Sequence, residues 1–206
     1  MTSRIGENIQ REWDEDPAPD KLWDALRVMD KDPEGAIPLL IDLAANGSSL
    51  SMAYLGSAYL RGTLPVDKES GETWLKKSAD LGSIEGGYQL ARFYEIEKRT
   101  EEAREWFASV AERGYSPALY RLGCLHYYIG DVPEALHYLH KAKDAGNLPA
   151  RGTLSWIYRK ENLGLAKRLA SHWHCAAKIP AVTWLLFRYR LTDRLRGNPR
   201  LDGLFR

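Results

Sequence analysis

The 206-residue sequence has little cysteine, no long apolar run and almost no net charge. Two cysteines, Cys124 and Cys175, are too few for a disulfide framework and suit buried positions in a protein of a reducing compartment. No stretch is apolar over the length that crossing a bilayer requires, and the N-terminal residues lack the apolar segment of a secretory signal. We therefore expect a cytoplasmic protein that has no membrane partner.

An excess of charge of one sign is also missing, because 29 Lys and Arg residues balance 28 Asp and Glu residues. Proteins that bind nucleic acid through their overall charge carry a clear basic excess, so this class is disfavoured. The balance is uneven along the chain, since residues 1–50 hold 5 basic and 11 acidic residues, whereas residues 171–206 hold 7 and 2. Two explanations stay open, namely a chance bias of solvated ends and attraction between the ends of neighbouring molecules.

Motifs for catalysis and for metal binding are missing as well. The sequence has no Gly-rich phosphate loop, no nucleophile elbow and no HExxH motif. His172, His174 and Cys175 form a tight cluster, but side chains two residues apart on a helix point in different directions. His137 and His140 share a helical face and supply only two ligands. We therefore expect no metal, no cofactor and no enzymatic activity.

The sequence does contain a repeat with a period of 31 to 35 residues. A leucine, followed in most copies by a small residue, recurs at Leu55-Gly56, Leu90-Ala91, Leu122-Gly123, Leu154-Ser155 and Leu185-Leu186. Aromatic residues also recur at intervals of 32 residues, and a glycine follows each of them after eight residues: Trp74 with Gly82, Trp106 with Gly114, and Tyr138 with Gly146. A repeat of this length indicates stacked helix pairs, in which the small residue allows close approach and the glycine ends a helix.

These anchors resemble the Sel-one-like repeat, a relative of the tetratricopeptide repeat. Residues 51–82 are similar to its motif A-x-x-x-L-G-x-x-Y followed by A-x-x-W and A-x-x-G, and a second clear copy covers residues 118–146. Gly71, Ala91 and His126 depart from the motif conservatively in size or shape, and the resemblance extends over roughly residues 20–192. It implies an all-α fold of the α-α superhelix type, a right-handed solenoid of antiparallel helix pairs with about five repeats and a C-terminal capping helix.

The chain is expected to divide into an acidic N-terminal extension, residues 1–19, and a repeat solenoid, residues 20–206. The extension ends in the turn-rich run DEDPAPD, which should break any preceding helix. Ile5, Ile9 and Trp13 fall at the spacing of one helical face. The extension therefore either forms a short amphipathic helix that docks on the body or on a partner, or remains undocked.

The resemblance also implies where a partner would bind, because the first helix of each pair lines the concave face of tetratricopeptide-like solenoids. The matching positions lie three residues before the small anchor and one, four and five residues after it. They predict a groove lined by Tyr88, Arg92, Cys124, Tyr127, Tyr128, Trp156, Arg159, Lys160, Phe187 and Arg190. Aromatic and arginine side chains often supply most of the binding energy of an interface. For Phe187, packing between neighbouring first helices is an equally good explanation.

We therefore expect a non-enzymatic scaffold or adaptor that binds a peptide or protein surface in this groove. Its basic residues favour an acidic segment, and its rings favour apolar anchors. Two alternatives stay open. The acidic first repeat and the basic residues 188–206 would support homo-oligomers, and the same basic segment would support the less favoured binding of single-stranded nucleic acid.

Overall fold

The structure is a computed structural model, and it describes residues 7–161. This range contains ten α-helices and no strand. The helices are α1 (Glu7–Asp14), α2 (Pro19–Met29), α3 (Pro33–Ala45), α4 (Ser49–Arg61), α5 (Lys68–Asp80), α6 (Ile84–Ile96), α7 (Thr100–Glu112), α8 (Ser116–Tyr128), α9 (Val132–Asp144) and α10 (Leu148–Lys160). The chain forms two compact units that divide within α10, one of residues 1–152 and one of residues 153–206.

In the first unit, helices α2 to α9 form four pairs of consecutive helices. The two helices of a pair pack on each other, and the second helix of each pair packs on the first helix of the next. The turns between them are short, so consecutive helices run antiparallel. The predicted class, an all-α solenoid of antiparallel helix pairs, is confirmed. The predicted capping helix lies outside the described residues.

Local sequence signals set where these helices begin and end. Side-chain oxygens of Asp32, Ser48, Asp67, Ser83 and Asp131 accept hydrogen bonds from backbone N–H groups in the first turns of α3, α4, α5, α6 and α9. The predicted stop signals are confirmed, since Gly82, Gly114 and Gly146 follow second helices with φ of 87°, 80° and 86°. Other residues adopt this left-handed backbone only at a cost, which explains why glycine recurs there.

The repeat anchors form the core of the first unit. Leu55 and Leu90 are fully buried, and Leu122 is 1% exposed. Helices α4 and α5 approach so closely that a Cβ on Gly56 would lie 2.8 Å from the Gly71 carbonyl oxygen. A Cβ on Gly71 would in turn lie 2.6 Å from Cγ of Leu60. Glycine at position 71, where the repeat motif has alanine, thus makes room for a leucine of the facing helix.

Candidate partner-binding groove

The first helices α4, α6 and α8 present the positions at which the sequence predicts a partner. We call the surface at these positions the groove. Between α4, α5 and α6 the groove contains a cavity of about 290 Å³. Its lining includes Leu60, Arg61, Gln89, Arg92 and Ile96, so guanidinium groups lie beside aliphatic side chains. This combination can accept a carboxylate and an apolar side chain at neighbouring points.

Two arginines give the cavity positive charge. Arg61 donates a hydrogen bond from Nη2 to Oε1 of Gln89 at 2.6 Å, which satisfies the guanidinium without neutralising it. Arg92 is half-buried in the same wall. Within residues 7–161, neither guanidinium forms an ion pair with a carboxylate. The cavity therefore carries positive charge that an acidic ligand would balance.

Other charges along the groove are already paired. Lys68 Nζ lies 2.7 Å from Glu97 Oε1 at the rim of the cavity. Arg121 Nη1 of α8 lies 3.5 Å from Glu95 Oε2 of α6, so this ion pair joins two successive repeats. Because these charges compensate each other locally, they contribute less to the attraction of a charged ligand than Arg61 and Arg92 do.

Exposed apolar side chains occupy equivalent positions at the ends of α6 and α8. Ile96 and Tyr128 each lie five residues after the small anchor, and they are 68% and 83% exposed. Arg61 holds the same position in α4. The position rule also applies to Arg61 and Ile96, which are not among the predicted groove residues.

The other groove residues predicted in the first unit are less open. The ring of Tyr88 packs edge-on against Phe107 at 5.8 Å and Tyr115 at 5.2 Å between ring centroids, so it contributes to packing between repeats. Tyr127 is half-buried. Cys124 is half-buried too, and loss of hydration raises the pKa of its thiol, which favours the neutral thiol over the reactive thiolate.

Five predicted groove residues fall in the second unit, and the structure describes three of them, Trp156, Arg159 and Lys160. Trp156 is 43% exposed, and the ammonium group of Lys160 lies 4.8 Å from the centroid of its ring. Arg159 is exposed. Phe187 and Arg190 lie outside the described residues, as do residues 188–206 and the cluster of His172, His174 and Cys175.

The described residues contain neither a cluster of metal ligands nor a helix that could span a membrane. In residues 7–161, no three His, Cys, Asp or Glu side chains converge as metal ligands would. The His140 ring nitrogen Nδ1 lies 3.5 Å from Nζ of Lys143, and burial lowers the pKa of this imidazole. None of the ten described helices combines the length and the apolar content needed to cross a bilayer.

Residues 7–14 of the predicted N-terminal extension form α1, which packs against other helices of the first unit. The Trp13 ring packs against Trp23 and Tyr54, with centroid distances of 5.9 Å and 6.2 Å. Polar contacts join the segment to the solenoid at three further points: Asp16 with Ser48, Glu12 with Glu85, and Asn8 with Arg113. The extension therefore contacts the starts of α4 and α6 and the turn before α8, rather than the cavity of the groove.

The repeat architecture is similar to that of known proteins. The profile of the Sel1 repeat matches residues 49–83, 88–115 and 116–147. The antigen c5321 of uropathogenic Escherichia coli, which has an SLR fold, is 22% identical with a TM-score of 0.63, over 77% of this chain and 37% of that one. A Sel1 repeat protein of Oxalobacter formigenes is 21% identical with a TM-score of 0.58, over 69% and 61%. The immunity protein Pa5087 of Pseudomonas aeruginosa is 21% identical with a TM-score of 0.53, over 78% and 67%.

The chain thus covers less than two thirds of the first two of these structures, and at such identities the likeness concerns the fold alone. The three profile matches coincide with the helix pairs of the solenoid. The first contains α4 and α5, the second covers most of α6 and all of α7, and the third contains α8 and α9. Three consecutive matches in phase with three helix pairs confirm the resemblance on which the groove was predicted, and the matched residues 49–83, 88–115 and 116–147 are Sel1 repeats.

Proposed function

We propose that this chain is a non-enzymatic scaffold or adaptor whose groove binds an acidic segment of a partner protein that also carries apolar anchors. The observation that carries the proposal is the cavity between α4 and α6. It presents Arg61 and Arg92, which form no ion pair among the described residues, beside the exposed Ile96. Repeat solenoids use such surfaces on their first helices to bind extended partners.

The chemistry of the cavity favours a carboxylate over a neutral polar group. A guanidinium can donate two parallel hydrogen bonds to one carboxylate, and the bond is stronger where water is excluded. Arg92 is half-buried, so a carboxylate bound to it would be partly shielded from solvent. Ile96 beside the cavity and Tyr128 at the end of α8 would then contact apolar side chains of the partner.

Binding rather than catalysis is what this set of side chains supports. The groove supplies guanidinium groups, aliphatic side chains and a phenol. Cys124 occupies a groove position in α8, and the raised pKa of its thiol disfavours the thiolate that covalent catalysis needs. The groove therefore recognises charge and shape without providing an activated group.

Selection of peptides from a random display library on the immobilised full chain tests this proposal. Enriched peptides are expected to carry Asp or Glu within a few residues of an aromatic or aliphatic side chain. The double variant Arg61→Glu/Arg92→Glu should bind these peptides at least about tenfold more weakly, the loss expected when a partly buried charge pair is replaced by repulsion.

The matched control is Lys21→Glu/Lys31→Glu, which makes the same change of charge at exposed positions in or beside α2. This control should bind the selected peptides as the wild type does, apart from a weak effect at low salt. Enrichment without an acidic bias, or equal loss of affinity in both double variants, would contradict the proposal.

A further inference from the structure

Polar side chains spaced four residues apart, in α1 and just after it, contact the solenoid at three points. Asn8 donates from Nδ2 to the Arg113 carbonyl oxygen at 3.1 Å, just before α8. Four residues on, Glu12 Oε2 accepts from the backbone N–H of Glu85 at 3.3 Å, in the first turn of α6. After four more residues, Asp16 contacts the start of α4. One short segment thus contacts the starts of two successive first helices, α6 and α4, and the backbone directly after α7.

The contact at α4 is the most buried of the three. Asp16 is 9% exposed, and its Oδ2 accepts a hydrogen bond of 2.7 Å from the hydroxyl of Ser48. That hydroxyl in turn accepts from the N–H of Ser51 and so caps α4. The starts of helices carry partial positive charge, which attracts carboxylates placed close to them. We call the starts of α4 and α6, the turn before α8, and the rings of Trp23 and Tyr54 the helix-start surface.

This surface is suited to a helix that combines acidic groups with one large ring. Trp13 packs in T-shaped geometry against Trp23 and contacts Tyr54, next to the Glu12 contact. The exposed side of α1 carries Gln10 and Asp14, which bond to each other rather than to the solenoid. The docked side therefore holds all the contacts that recognise the surface.

The fit of α1 itself is imperfect at Glu12. Its Oε1 is buried without a hydrogen-bond partner among the described residues, and burial raises the pKa of this carboxyl. The charged groups that face it are Glu85, which repels it, and Arg113, which attracts it. A polar helix of eight residues is also unstable in water by itself, so α1 must be ordered as it docks.

Tethering explains how such an imperfect ligand stays bound. Residues 15–18 connect α1 directly to α2, so the segment is held near the surface at a high effective concentration. A free helix with the same spacing of groups would compete with α1 if its side chain at the position of Glu12 fitted the surface better than this buried carboxyl does. The helix-start surface lies at the opposite end of the first helices from Arg61, Ile96 and Tyr128, which are the last residues of α4, α6 and α8.

We propose that the helix-start surface is a docking site for an acidic amphipathic helix of a partner protein, and that α1 is a built-in stand-in which this helix displaces. As in α1, the partner segment carries an amide donor at position i, a carboxylate at i+4 with a large aromatic side chain next to it, and a second carboxylate at i+8, just past the end of the helix. This site is separate from the groove and does not depend on the function proposed for it.

The probe is a fluorescent peptide with the sequence of residues 7–18, ENIQREWDEDPA. It is titrated against the full chain, against the variant Glu12→Arg/Trp13→Ala, which weakens resident docking, and against the control Gln10→Ala/Asp14→Ala on the exposed side of α1. The weakened variant should bind the peptide at least about tenfold more tightly than the wild type, because its own α1 competes less. The control should behave as the wild type does.

Equal affinity for all three proteins, or no binding to the weakened variant, overturns the proposal. A peptide with Glu12→Arg should fail to bind, and tight binding of that peptide also overturns it. The wild-type chain gives a second test that needs no substitution. In isotope-labelled protein, saturating unlabelled peptide should shift the NMR signals of residues 7–14 to those of an unfolded segment, and signals that stay in place under saturation contradict displacement.

Discussion

The substitution Gly56→Ala tests the close approach of α4 and α5 on which the repeat depends. An added Cβ would lie 2.7 Å from Cγ of Leu75 and 2.8 Å from the carbonyl oxygen of Gly71. Carbon atoms in good contact are about 3.5–4.0 Å apart, so the neighbours would have to move by most of an ångström. The carbonyl belongs to the backbone of α5 and cannot rotate away, so the two helices themselves must separate.

The magnitude follows from two opposing effects. Alanine is favoured over glycine in a helix by about 1 kcal/mol, whereas overpacking a core costs about 1–3 kcal/mol. Gly152→Ala in α10 isolates the first effect, because no described atom lies within 4 Å of its added Cβ and the variant should be stabilised. Gly87→Ala should fall between the two, since its added Cβ meets the end of the Val110 side chain at 2.9 Å.

Thermal unfolding followed by circular dichroism measures this order of stability. The steric cost, about 1–3 kcal/mol, is the difference between Gly56→Ala and Gly152→Ala, and each kcal/mol shifts the Tm by about 2–4 °C in a chain of this size. The expected order of Tm is Gly152→Ala, then Gly87→Ala, then Gly56→Ala. If Gly56→Ala melts at or above Gly152→Ala, the helices do not approach as described and the reasoning is wrong.

Three further predictions concern separate parts of the molecule. Tyr128→Ala should leave the Tm unchanged, because this side chain is 83% exposed, but should weaken peptide binding in the groove, and a large loss of Tm would contradict its exposure. Gly123→Ala should lower the free energy of unfolding less in the Leu139→Ala background than in the wild type, because its added Cβ would lie 2.7 Å from Cγ of Leu139. Additive losses in a double-mutant cycle would exclude this clash. Burial raises the pKa of docked Glu12, so docking takes up a proton and should tighten as the pH falls toward the ordinary pKa of glutamate. NMR shifts of residues 7–14 report the docked fraction, and Glu12→Gln should remove this pH dependence.

The repeat could be predicted from the sequence because its constraints are steric and local. A leucine buried between helices and a glycine at a left-handed turn recur wherever the same geometry recurs, as Leu90, Leu122, Gly82 and Gly114 do. The need for glycine at position 71 could not be predicted from the sequence in this way. It depends on the Leu60 side chain of the facing helix, and no rule based on one helix alone reveals such a neighbour.

From the sequence, one could predict only which face of the first helices forms the groove. Position relative to the small anchor shows which side of a helix a residue occupies, but not which neighbour its side chain meets. Tyr88 packs against Phe107 of α7 and against Tyr115 just before α8, and Glu95 pairs with Arg121 of α8, so both are engaged by contacts with neighbouring helices. Arg92 shares the same face as Tyr88 and Glu95, yet it lines the cavity without an ion pair among the described residues.

The apolar contacts of α1 could be predicted from the sequence, but its polar contacts could not. Ile9 and Trp13 indicated an apolar stripe, and both are half-buried in the structure. Asn8, Glu12 and Asp16 are regularly spaced in the sequence, but this spacing alone does not show what the polar side chains contact. The role of these side chains depends on where the starts of α4 and α6 and the end of α7 lie, which only the three-dimensional structure provides.

Hydrogen–deuterium exchange of the full chain with a selected acidic peptide tests the central claim most directly. If the groove is the binding site, the peptide should slow exchange in the C-terminal halves of α4, α6 and α8, where Arg61, Ile96 and Tyr128 lie. The same peptide should cause no such protection in Arg61→Glu/Arg92→Glu. Protection confined to α5, α7 and α9, or protection that survives this charge reversal, would show that the partner binds elsewhere.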